Sequence, residues 1–203
     1  VYALLGAVEW GYEEDGATLL AHLEKIVQYN VQSSEKEKFD GVMLDIEPYI
    51  SDSWKENPEE YMDRYISCMK KGYKFTQKNH LRTAICIPRH YDNQGLTSGL
   101  EELIKETCDE VAVMNYSCGN EIEAIRTEAA LSEKYGKELH CILEFQEVGK
   151  HGLTENKTYR NKGIDNAKET WEKLQKEYKN INVTRDYHWS RPVREMLEEK
   201  NAD

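Results

Sequence analysis

The sequence predicts an α/β fold, a (β/α)8 TIM barrel truncated at its N-terminus, and three observations carry that expectation. Short apolar runs of β type alternate with longer amphipathic stretches from one end of the 203 residues to the other. The central runs are continuously apolar, as parallel strands covered on both faces are. The chain also falls short of the roughly 250 residues that a complete barrel takes.

Taken in order, Tyr2–Val8 is the first expected strand, so the chain is expected to open inside a core and to lack its natural N-terminus. Asp15-Gly16 starts a helix whose Leu19, Leu20, Leu23, Ile26 and Val27 form one apolar stripe. Gly41–Ile46 is the second strand. Asn57-Pro58-Glu59-Glu60 reads as an N-cap with Pro at the first helical position, and Tyr61, Tyr65, Ile66, Met69 and Tyr73 follow at helical spacing. Arg82–Ile87 is the third strand, with a helix over Ser98–Thr107 behind it. Glu110–Asn115 is the fourth, followed by one helix over Asn120–Tyr135 that Gly136 ends. Leu139–Phe145 and Asn182–Tyr187 are the last two strands, each followed by a helix, Ile164–Tyr178 and Arg191–Lys200.

No solenoid period and no Pro/Gly/Ser-rich linker interrupts the series, so a single domain over residues 1–203 is expected. Six β-α units leave two folds, an open doubly wound sheet or a barrel with two units missing. A nucleotide-binding sheet calls for a Gly-rich first turn, and neither Gly-x-Gly-x-x-Gly nor Gly-x-x-x-x-Gly-Lys occurs. The barrel is favoured, and its incomplete edges are expected to seek partners, self-association among them.

A formal charge of −11 argues against nucleic acid or an anionic membrane as partner, because phosphate binding needs clustered Lys and Arg. No apolar run approaches the roughly 20 residues of a membrane span. The five cysteines, Cys68, Cys86, Cys108, Cys118 and Cys141, read as reduced core thiols, and none has metal-ligand spacing with His. Neither a metal nor another cofactor is called for. Asn115, Asn156 and Asn182 stand in glycosylation sequons.

The chemistry points to the second strand. Met43, Asp45 and Glu47 share one face, while Val42, Leu44 and Ile46 share the other and pack under helices. Two carboxylates thus reach the C-terminal end of a barrel strand, the rim where such barrels keep their catalysis, and Pro48 stops regular pairing behind them. An acid embedded in Gly-Val-Met-Leu-Asp-Ile-Glu is hydrogen-bonded or shifted in pKa, and a partly protonated carboxyl is what general-acid cleavage of a glycosidic bond requires.

Asp40-Gly41-Val42-Met43-Leu44-Asp45-Ile46-Glu47 resembles the Asp-Gly-x-Asp-x-Asp-x-Glu signature of glycoside hydrolase family 18, the chitinases and endo-β-N-acetylglucosaminidases. Two strands on, Val113-Met114-Asn115-Tyr116-Ser117 is similar to that family's Met-x-Tyr-Asp. The resemblance implies Glu47 as proton donor on the fourth barrel strand, Asp45 as its orienter and Tyr116 as a hydrogen-bond donor, with the visible strands running from the third to the eighth. It implies a carbohydrate substrate and slightly favours an extracellular or cell-surface setting. It departs from the family at Met43 and Ser117, where two acids are expected. Bacterial barrel proteins with an aspartate-x-glutamate-proline strand are similar too.

Glu144, near the end of the expected seventh barrel strand, resembles the nucleophile of clan A retaining glycosidases and keeps that alternative open, with Glu47 again the acid. A rim salt bridge from Glu144 to Lys137, Arg185 or Lys150 is an equal reading. For substrate contacts Trp189 and Arg89 rank first, followed by His188, Trp10, Tyr49 and Tyr91, since indole and phenol faces stack on sugar rings. Trp54, His90 and Glu9 stand in the same loops. A non-catalytic carbohydrate-binding barrel is the rival class, motivated by Met43 and Ser117.

Overall fold

A computed structural model describes residues 1–202, with side chains described to residue 199. The fold is α/β, with six strands along the described residues, each followed by one or two of the eight helices. The strands are β1 (Tyr2–Leu5), β2 (Gly41–Leu44), β3 (Arg82–Pro88), β4 (Glu110–Met114), β5 (Glu138–Glu144) and β6 (Val183–His188), hydrogen-bonded in chain order. The helices are α1 (Ala17–Gln32), α2 (Asp52–Glu56), α3 (Pro58–Lys78), α4 (Thr97–Glu106), α5 (Glu121–Ala124), α6 (Arg126–Tyr135), α7 (Ile164–Glu177) and α8 (Ser190–Ala202).

The chain forms two compact units, Val1–Val111 and a second that begins at Ala112. In the first, β1, β2 and β3 pair in parallel with Tyr2 opposite Gly41 and Gly41 opposite Arg82, and Asp109 donates its backbone N–H to Thr83 at 2.8 Å to start β4. Its core lies between this sheet and the helices α1, α3 and α4. Leu19 and Leu23, Tyr65 and Met69, and Leu100 and Leu103 all show no exposed surface. At the strand starts, the buried Glu110 carboxylate accepts from the Tyr2 hydroxyl and, at 2.5 Å, from Arg82 Nε.

In the second unit β5 and β6 are parallel from Leu139 opposite Val183 to Glu144 opposite His188, and Asn115 donates to the Ile142 carbonyl at 3.0 Å. Phe145, Trp171 and Leu174 fill the core, and Trp171 Nε1 donates to the Cys141 carbonyl at 3.1 Å, which satisfies the one polar atom of a buried indole.

Three sequence expectations are corrected. The first strand ends at Leu5, because Gly6 closes onto the Asp45 backbone and Val8–Tyr12 then winds into a 3₁₀ turn. The helix expected over Asn120–Tyr135 is two helices broken at Ile125, whose φ of −125° leaves the helical region while its side chain is fully buried. Asn57 does not cap α3 by accepting a backbone N–H; its amide instead donates to Glu60 at 2.6 Å.

Candidate functional site

In the first unit the acids stand just past the end of β2. Val42, Leu44 and Ile46 are 0–1 % exposed, whereas Met43, Asp45 and Glu47 are partly exposed, the alternation that a period of two gives. Asp45 extends the ladder by one bond, from its N–H to the Leu5 carbonyl at 2.8 Å. Glu47 turns the chain (φ −113°, ψ 66°) into a 3₁₀ turn over Pro48–Ile50. Pro48 is buried and pinned: the Tyr12 hydroxyl donates to its carbonyl at 2.9 Å, and Gly11 lies against its ring.

The Tyr49 hydroxyl donates to Glu47 Oε1. Burial raises the Tyr49 phenol far above its ordinary pKa, and the charges of Glu47 and then Asp45 push the same way, so Tyr49 keeps its proton and stays a donor. Two further phenols sense the acids. Tyr91 is raised by burial and by Glu47, and Tyr65 by burial and more weakly by Asp45. All three phenols therefore keep their protons beside the acids' charge, and Tyr49 alone is bonded to one of them.

The surrounding rings divide into exposed and buried. Tyr49 meets the His90 ring edge-on at 5.2 Å, and burial, then the neighbouring Arg89 charge, lower the proton affinity of His90. Arg89 is partly exposed. Trp10, also partly exposed, lies against His22 at 4.5 Å. Tyr91 and Trp54 are 0 % and 3 % exposed and pack on each other at 5.6 Å, so both belong to the core and have no open face for a sugar.

In the second unit Glu144 is buried and bonded through both oxygens. Oε1 accepts the backbone N–H groups of Phe145 and Gln146 at 2.8 and 2.7 Å; Oε2 accepts His188 Nδ1 at 2.7 Å and Gln146 Nε2 at 3.3 Å. Burial works to raise its pKa, but the His188 and Gln146 bonds outweigh it and hold the carboxyl below the usual range. The salt bridge weighed with Lys137, Arg185 or Lys150 is thus replaced by an imidazole, two backbone N–H groups and a side-chain amide. The Tyr116 ring stacks on His188 at 5.9 Å. Trp189 is 45 % exposed beside a cavity of about 170 Å³ that Gln146, Arg160 and Arg191 also line.

Sequence reasoning missed Tyr12, Tyr65 and Gln146. Tyr65 carried a signal, helical spacing on a stripe that faces the sheet, but it reads there as packing. A larger cavity, about 640 Å³ between the Cys118–Glu123 loop and α7, holds no expected site residue. Of the sequon asparagines, Asn115 is 1 % exposed and donates to the Glu121 carbonyl, which closes it to modification; Asn156 and Asn182 are exposed. Among the described residues no group of three His, Cys, Asp or Glu gathers to hold a metal, and no helix is long and apolar enough to cross a membrane.

No family model matches the chain, and no curated protein matches it. Among solved structures it is similar to catalytic domain 2 of the Group II chitinase of Ostrinia furnacalis, at 14 % identity and a TM-score of 0.41. A point mutant of that domain, in complex with penta-N-acetylchitooctaose, gives 15 % and 0.42. Each match covers 78 % of this chain and 50 % of the other, so the chain spans about half the length of the chitinase domain it matches.

Proposed function

We propose that the chain is a portion of an O-glycosyl hydrolase of the (β/α)8 type in which Glu47 donates the proton to the glycosidic oxygen. The observation that carries this reading is the half-buried Glu47 at the end of β2, with Tyr49 bonded to one oxygen and Asp45 on the same face. A general acid needs one fixed oxygen and one that presents the proton. Tyr49 supplies the fixing contact on Oε1, and Asp45 stands on the same face. Trp10 and Arg89, partly exposed in neighbouring loops, are the sugar contacts proposed on this side, and Trp189 is the stacking ring proposed in the second unit.

Proton donation of this kind is worth about 10²–10⁴ in rate. Aryl glycosides and chitooligosaccharides incubated with the protein and with Glu47→Gln test the reading: cleavage by the parent, lost in the variant with the fold intact, supports it. Binding of the same oligosaccharides without cleavage by either protein supports the second reading, a carbohydrate-binding barrel. The observation in its favour is Met43, a partly exposed thioether where the resembling signature has an acid next to Asp45. The retaining mechanism with Glu144 as nucleophile is disfavoured, since four donors occupy the two oxygens that would have to attack.

A further inference from the structure

We propose that the groove of about 640 Å³ between the Cys118–Glu123 loop and α7 is a binding site for a short zwitterionic peptide, its ammonium group held by Glu121 and its carboxylate by Lys173. The site lies wholly within the second unit and does not depend on the glycan reading.

Glu121 is the centre of the site. The residue is 8 % exposed, yet only one of its carboxylate oxygens is engaged. Oε1 accepts the Gly119 backbone N–H at 2.8 Å and the Tyr159 hydroxyl. Burial, then Glu121 itself, raise the Tyr159 phenol far above its ordinary pKa, so Tyr159 remains a neutral donor fixed on Oε1, with Thr170 Oγ1 2.8 Å from the same phenol oxygen. Oε2 accepts no bond among the described residues, although Glu121 lines the groove. An ammonium group there gains a charge-assisted bond at a carboxylate already held in place and stripped of most of its water.

The remaining charges of the groove decide what else the ligand carries. Two acids are answered: Arg126 grips Glu123 through Nη2 and, at 3.0 Å, Nε, and Glu177 stands in the field of the same guanidinium. Lys162 donates to the Glu155 carbonyl, which leaves its charge uncancelled, and Lys173, exposed on α7, makes no bond among the described residues. The groove thus offers an open anion on the loop wall and open cations on the α7 side. A diamine would meet the two lysines as like charges and a dicarboxylate would meet Glu121, whereas a ligand with one charge of each sign meets neither penalty. The volume falls within the range of small-ligand pockets, and Asn120 and Asn166, which line it, carry the amide groups that bond a peptide backbone. Burial pushes the Cys118 thiol up to about 11 despite the neighbouring Lys162, so the thiol stays protonated near neutral pH and the site binds without a covalent step.

Calorimetric titration with trialanine, N-acetyl-trialanine and trialanine amide at about pH 7, where both free termini are charged, tests the site. Trialanine is expected to bind, and the two blocked peptides, each lacking one charge, to bind about ten-fold more weakly or worse. Glu121→Gln is expected to erase the preference over the N-acetyl form, and Lys173→Met the preference over the amide. Lys173 is exposed, so Lys173→Met reads the site even where Glu121→Gln does not fold. Cys118 is the one cysteine of the five that is not buried, and bound trialanine is expected to slow its alkylation by iodoacetamide several-fold, read by peptide mass. Absence of trialanine binding, equal affinity for the three peptides, or alkylation that trialanine leaves unslowed overturns the site.

Discussion

Gly6 is the residue through which β1 sets the position of the candidate acids, and Gly6→Ala perturbs them without touching a carboxylate. A Cβ at this position would stand 1.9 Å from the Asp45 carbonyl oxygen, 2.5 Å from its carbon and 3.1 Å from its Cα. Contacts below 3.0 Å essentially do not occur, so one backbone must retreat by about 1 Å, and no flexible side chain is there to yield instead. The retreat strains the Asp45 N–H to Leu5 carbonyl bond, now 2.8 Å, which carries the β1–β2 ladder past Leu44. Overpacking of this kind costs about 1–3 kcal/mol and a weakened backbone bond about 1 kcal/mol more. Reduced freedom of the unfolded chain returns about 0.4–1 kcal/mol. A net loss of about 2–3 kcal/mol is expected in urea unfolding monitored by tryptophan fluorescence. Because misplacement by about 1 Å costs on the order of 10²-fold in rate, turnover of any glycoside the parent cleaves falls with it. A Gly6→Ala protein within about 0.5 kcal/mol of the parent, a change typical of neutral surface sites, refutes the close approach.

Tyr49→Phe removes the donor that fixes Glu47 Oε1, and it is expected to lower turnover of any glycoside the parent cleaves; unchanged turnover in that variant contradicts the fixing contact. Glu144 is held below its ordinary value of 4.5, so its stabilisation is complete above about pH 4.5 and is lost as pH falls through the folded-state value. Denaturation across pH 3–6, taken as rough limits, is expected to show the gap between wild type and Glu144→Gln narrowing toward acid; a constant gap contradicts the ionised anchor. Glu110→Gln weakens the bonds from Tyr2 and Arg82, and about 1.5 kcal/mol is expected, the low end for charged hydrogen bonds because Arg82 is half exposed and rehydrates. The same change is expected to lower the Tyr2 phenol from about 12, where burial and then Glu110 hold it, a shift that ultraviolet titration reads.

Strand order and the two faces of β2 were legible because both depend on local pattern: continuous apolar runs mark covered strands, and a period of two places Met43, Asp45 and Glu47 together. The end of β1 was not legible, since it is decided by how closely Gly6 approaches a segment about 40 residues away. The break at Ile125 escaped for a different reason. Its apolar spacing suits a helix, and only the demand to bury that side chain bends the backbone. For Glu144 the sequence offered three cations within reach in the chain, while the donor was His188, placed opposite by strand register, with two N–H groups of the very next residues. Tyr91 and Trp54 show the limit of reading aromatic loops as sugar platforms: ring type is visible in sequence, exposure is not.

The most direct test of Glu47 as proton donor is the dependence of turnover on the leaving group. A dinitrophenyl glycoside departs without protonation, whereas an alkyl glycoside or a natural oligosaccharide needs the acid. Glu47→Gln is expected to lose about 10²–10⁴ on the poor leaving group and far less on the dinitrophenyl one. Equal loss on both, or undiminished cleavage of the oligosaccharide, contradicts the assignment.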